Sequence, residues 1–188
     1  MSKKIYLIFA TLLFLKCSNA QNELSIDINI INNHKPIILN YDTKHKKVFR
    51  VQIPFKLEVT NTSSKTQKIT SFIYQYSIKN SGLLNDLFEI TNNNEHNKIS
   101  LASIKKLPPF TKKEYLIYSE HLIDSLQNIQ NHFIPFLKTK RKSKSIFNIN
   151  KSTFEKTEFY KNLVKEDSIV VRLINSNNFK RIKLPVKQ

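Results

Sequence analysis

Residues 51–59 read VQIPFKLEV, and this stretch decides the fold class. Val51, Ile53, Phe55, Leu57 and Val59 alternate with Gln52, Pro54, Lys56 and Glu58. Successive side chains of a strand point to opposite faces, so the pattern buries one face and leaves the other to solvent. Pro54 has no N–H to give to a neighbouring strand, which predicts an edge position or a bulge there.

The same period of two continues on both sides. Leu24, Ile26, Ile28 and Ile30 predict a strand over roughly 23–31, and 37–41 a short one. Phe72, Tyr74, Tyr76 and Ile78 alternate after the turn residues Asn61 to Ser64. Residues 87–90 and 98–102 flank the polar loop 91–97 and predict a hairpin. Pro108 and Pro109 lead into a strand over 114–119. Residues 168–174 and 180–186 flank Asn175-Ser176-Asn177-Asn178, a second hairpin. Such regular spacing is that of an all-β antiparallel sandwich or barrel. The expectation is a β-sandwich of about eight to nine strands in one domain, 21–188, with one or two short helices between late strands.

Two segments have a helical period. Leu122, Leu126, Ile129, Phe133 and Phe136 step by four and three, predicting a helix over about 121–133 that closes one end and stops before Pro135. Ser152-Thr153-Phe154-Glu155 has capping-box spacing for a helix reaching about residue 164.

The chain of 188 residues holds a single glycine, Gly82, and a single cysteine, Cys17. One glycine excludes the P-loop, the GxGxxG turn and the G-x-S-x-G elbow, each of which needs several for close backbone approach. Asparagine stands in nearly every predicted turn, as the next most tolerant of φ > 0. One cysteine excludes multi-cysteine zinc sites and dithiol redox pairs. His34, His45, His96, His121 and His132 show no ligand spacing, so neither a metal nor another cofactor is expected. Asp124, His121 and Ser125 can be written as a triad, but one helical turn cannot give a base its nucleophile and its orienting acid together.

The N-terminus reads MSKKIYLIFATLLFLKCSNAQ. Lys3 and Lys4 precede an apolar run over 5–15 that is too short to span a bilayer, and Ser18 and Ala20 are small residues before Gln21. This resembles a bacterial secretory signal peptide over 1–20, so the chain is expected to be exported: periplasmic, on the outer membrane face, or secreted. Cys17 follows the apolar run as the lipid-modified cysteine of lipoproteins does, although Lys16 stands where that family has a small residue; it is the candidate lipidation site and the one expected route to a membrane. Loss of Lys3, Lys4 and Lys16 reduces the formal charge from +17 to +14. An excess of that size draws a protein toward anionic partners.

Five of those cations, Lys138, Lys140, Arg141, Lys142 and Lys144, fall in the run KTKRKSK and are the candidate anion-binding residues. Aromatic residues only flank the run, and export argues against nucleic acid. Residues 55–76, FKLEVTNTSSKTQKITSFIYQY, and the proline-led strand after Pro108-Pro109 resemble immunoglobulin-like β-sandwich domains of exported bacterial proteins. That resemblance implies a fold and little of a function. No catalytic residues are assembled by the sequence. The leading expectation is a non-enzymatic binding module for an anionic envelope polymer or a protein. The alternatives are an envelope hydrolase using dispersed acids such as Glu58, Glu89 and Glu114, and a docking or neutralising partner of a secreted protein.

Overall fold

A computed structural model describes residues 25–77, 86–91, 93, 95–137, 145–175 and 178–186. The strands are β1 (Ile26–Ile31), β2 (Ile37–Asp42), β3 (Lys47–Asn61), β4 (Gln67–Gln75), β5 (Asp86–Ile90) and β6 (His96–Lys98). After them come β7 (Lys105–Leu107), β8 (Lys112–Leu122), β9 (Ile146–Ile149), β10 (Ser168–Asn175) and β11 (Asn178–Pro185). Among the described residues there are four short helices: α1 (Gln127–Asn131), α2 (Ile134–Leu137), α3 (Lys151–Glu155) and α4 (Glu158–Leu163). The larger antiparallel sheet runs β6-β5-β8-β3-β2-β9, with β1 also on β3, and curls into a half-barrel. The smaller sheet runs β11-β10-β4-β7, again antiparallel.

The fold is all-β, as the alternation predicts. The residues of 51–59 sit inside β3, whose Val51, Ile53, Leu57 and Val59 are fully buried. Phe55 stacks on Tyr74 at 5.4 Å, and Phe72 lies 4.8 Å from Tyr115, so aromatic contacts join the two sheets across the core. Each such pair adds about 1 kcal/mol beyond its buried area.

Pro54 is at neither an edge nor a bulge. One side of β3 pairs with β8 from Arg50 to Thr60. On the other side β2 covers Lys47 to Gln52 and β1 covers Lys56 to Asn61. Pro54 falls in the gap between them, where no strand asks for an N–H. Asn33 closes the gap by donating Nδ2 to the Pro54 carbonyl at 3.1 Å.

Both hairpins form, β5–β6 and β10–β11. The described residues hold eleven strands rather than eight or nine, because β7 and β9 are too short, at three and four residues, to show a period.

The 121–133 helix is largely overturned. β8 continues through Leu122, and only α1 is helical before Phe133. Leu122 and Leu126 are 44% and 57% exposed, so they do not form the apolar stripe with Phe133. A strand period in Tyr115, Ile117, Ser119 and His121, all fully buried, prevails there. Gln130 then fastens α1 to the start of β3. Its Oε1 accepts from Val48 N at 2.8 Å, and its Nε2 donates to Val48 O at 2.9 Å.

The second helix is split. Asn150 rather than Ser152 is its cap, accepting from Thr153 N at 3.1 Å, and α3 ends at Glu155. Thr157 caps the restart by accepting from Tyr160 N at 3.1 Å.

Asparagine serves the turns by hydrogen bonding rather than by dihedral angle. Among the described residues, positive φ falls on Lys46, Phe110 and Glu166. Asn61, by contrast, is fully buried and donates Nδ2 to the carbonyls of Lys65, Leu107 and Pro108 at 2.8–3.0 Å.

Candidate anion-binding face

The four strands of the smaller sheet contain no Asp or Glu. Their register decides which of their cations share a face. Ile69, Phe72, Tyr74, Val171 and Leu173 are buried, so the alternate positions point away from the core. Lys106 of β7 stands opposite Lys68 of β4, which stands opposite Ile174 and then Phe179. In the next row Ser71, Arg172 and Arg181 face one another across β4, β10 and β11. Ile73, Val170 and Lys183 make the third. Rows two residues apart are about 7 Å apart and neighbouring strands about 4.8 Å, so Lys68, Lys106, Arg172, Arg181 and Lys183 cover one small patch.

Two features distinguish this patch from a solvated face. Lys68–Lys106 and Arg172–Arg181 are direct cross-strand like-charge pairs, which cost stability of up to about 1 kcal/mol each unless a counter-charge lies over them. No carboxylate forms an ion pair with any of the five cations among the described residues. Phe179 stands 71% exposed at one edge of the patch, and the buried Arg172 Nε and Ser71 Oγ have no hydrogen-bond partner among the described residues.

The larger sheet is the opposite case. Glu58 and Glu114 lie directly opposite each other on β3 and β8, but each is held by a lysine: Lys112 Nζ to Glu58 at 2.9 Å and Lys56 Nζ to Glu114 at 2.8 Å. Lys113 Nζ lies 2.5 Å from Glu89. Arg50, Asn40, Gln52 and Glu120 form a further network, with Gln52 Nε2 donating to Glu120 Oε1 at 2.7 Å. A cavity of 330 Å³ beside the β1–β2 connection is lined by His34, Lys35, Lys56 and His96. Burial, then Lys35 and Lys56, holds the His96 imidazole below its ordinary range.

His121 belongs to β8 and makes no hydrogen bond to Asp124 or Ser125; Asp124 Oδ1 instead accepts from Leu126 N at 3.1 Å. His121 Nε2 is 3.1 Å from Ser119 Oγ, and its ring packs edge-on against Tyr74 and Tyr76. Both Ser119 and His121 have zero exposure, so this nucleophile–base spacing has no approach for a substrate. Burial pushes His121 down to about 4, and its Nδ1 has no partner among the described residues. Tyr74 donates its hydroxyl to Asp167 Oδ2 at 2.9 Å, and burial, then the Asp167 charge, raises its pKa far above the ordinary phenol.

Lys138, Lys140, Arg141, Lys142 and Lys144 lie outside the described residues, as does Cys17. The smaller-sheet cations were not singled out by the sequence. The available signal was seven cations and no acid across four strands; only the register shows which of them share a face. Among the described residues no three His, Cys, Asp or Glu side chains gather as a metal site, and no helix is long and apolar enough to cross a membrane.

No protein-family model matches the chain, and no curated protein sequence is similar to it.

Proposed function

We propose that this chain is an exported, non-catalytic module that binds an anionic polymer through the outer face of the smaller sheet. The observation that carries the reading is the row arrangement: five cations, two like-charge cross-strand pairs and no carboxylate in four adjacent strands. A polymer with repeating negative charge neutralises such a surface and releases counterions as it does so. Phe179 adds an apolar platform at the rim. Export rests on the charged, apolar and small-residue order of residues 1–20. The finer fold, an immunoglobulin-like sandwich, belongs to the same proposal and is supported by two antiparallel sheets sharing one core. Lysine-paired Glu58, Glu89 and Glu114 favour binding over hydrolysis, because an ion-paired carboxylate is a poor general acid.

The test compares two neutralised variants for binding to heparin, a sulfated glycan. One carries Lys68→Ser, Lys106→Ser, Arg181→Ser and Lys183→Ser. The other carries Lys138→Ser, Lys140→Ser, Arg141→Ser, Lys142→Ser and Lys144→Ser. The first is expected to lose affinity by about a hundredfold. Retained affinity there, with loss in the second, moves the site to the 138–144 run and refutes the sheet reading.

A further inference from the structure

β1 lies in the larger sheet, apart from the cationic face of the smaller one. β1 pairs with β3 on one side and, among the described residues, has no strand on the other. Ser25 O accepts from Thr62 N at 2.7 Å, which sets the alternation of the ladder. Asp27, Asn29 and Ile31 therefore bond to β3, and the main-chain N–H and C=O of Ile26, Ile28 and Ile30 point outward. No partner for these groups stands among the described residues.

Other edges are blunted. β6 and β7 have three residues each, β9 has four, and β11 carries Lys180, Arg181, Lys183 and Pro185. β1 has six residues, four of them isoleucine, with one charge, Asp27. An edge of that kind is a template for another strand.

Beside the edge lies a cavity of 410 Å³. Ile28, Phe55, Leu184 and Val186 give it apolar walls. Its polar end is Lys151, Glu155 and Tyr160. The Lys151 side chain is 12% exposed, and its ammonium lies 3.5 Å from Glu155 and 5.8 Å from the Phe55 ring centroid. Burial holds Lys151 below the ordinary lysine range. Tyr160 already donates its hydroxyl to Glu155 at 3.3 Å. The ammonium is thus largely desolvated with one carboxylate partner, Glu155, and its three donors leave capacity for a further acceptor.

We propose that an extended peptide segment of a partner protein adds as a strand to the free edge of β1, with apolar side chains at alternate positions in the cavity and a carboxylate on Lys151. Main-chain bonds to Ile26, Ile28 and Ile30 supply affinity, and the cavity with Lys151 supplies selection. The bonded span is about 13 Å, which five or six residues of strand cover.

The probe is a six-residue peptide alternating valine and threonine, made with a free terminal carboxylate and as its amide. Expected are saturable binding of the free-acid peptide to the mature chain and slowed amide exchange at Ile28 and Ile30. Ile30→Pro removes one outward N–H on an edge where proline is tolerated, and abolishes binding in a protein that still unfolds cooperatively, its melting temperature lowered only by the lost packing of the half-buried Ile30. Lys151→Met weakens the free-acid peptide by about tenfold and leaves the amide peptide unchanged. Absence of binding at millimolar peptide, binding without protection of Ile28 and Ile30, or binding that survives Ile30→Pro overturns the proposal. Protection of those amides that grows with protein concentration alone overturns it too, by giving the edge to a second copy of the chain.

Discussion

Replacing His121 with Phe isolates one buried titration. The native imidazole is neutral and holds at about 4, against 6.5 for an exposed histidine, because burial disfavours its cation. Tyr74, Tyr76 and Ser119 surround it, and Asp167 is engaged by the Tyr74 hydroxyl. Between pH 6.5 and 4 the unfolded chain binds a proton that the folded chain refuses. Stability from this group is therefore complete above 6.5, falls as pH drops through that window, and is flat below 4. The gap from 6.5 to about 4 corresponds to about 3 kcal/mol, a large share of a domain's net stability. Phenylalanine keeps an aromatic ring against Tyr74 and Tyr76 and has no proton to exchange. The assay is urea unfolding at steps from pH 8 to pH 4 for both proteins. His121→Phe starts less stable at pH 8, since Ser119 Oγ loses its contact with the imidazole, and its stability then falls less on acidification by about 3 kcal/mol. Parallel curves for the two proteins refute the reasoning, since they show that His121 does not carry the acid sensitivity.

Asn61→Ala removes the amide shared by the carbonyls of Lys65, Leu107 and Pro108 and lowers unfolding free energy in urea by about 3 kcal/mol. Gln130→Ala leaves Val48 N–H and C=O unpaired; it costs about 2 kcal/mol and speeds amide exchange at Val48 and through α1. Lys46 has φ 54°, so Lys46→Asn puts a residue that accepts this geometry into the β2–β3 turn and raises stability by up to about 1 kcal/mol, read from the urea midpoint.

The strand period of β3, β4, β8 and the two hairpins was legible because one face of each is buried and its alternation is written in the side chains. What failed to show depended on distant residues. Leu122, Leu126 and Phe133 have helical spacing, yet His121 and Ser119 are pulled into β8 by pairing with Val51 and Ile53. Pro54 by itself predicts an edge or a bulge, and its real setting, a gap between β1 and β2 on the same side of β3, needs the whole sheet. The cationic face was hidden for the same reason. Lys68, Lys106, Arg172 and Arg181 are spread over more than a hundred positions, and cross-strand register alone brings them together.

The most direct measurement of the central claim is the salt dependence of heparin binding by the chain and by the variant lacking Lys68, Lys106, Arg181 and Lys183. Each cation that engages the polymer contributes close to one to the slope of log affinity against log salt. The slope is predicted to flatten by about 3.6 in the variant, about 0.9 for each of the four cations removed, with the unfolding midpoint unchanged or raised by relief of the Lys68–Lys106 and Arg172–Arg181 repulsion. Equal slopes for the two proteins contradict the account, because the outer face of the smaller sheet would then contribute no contacts to the bound polymer.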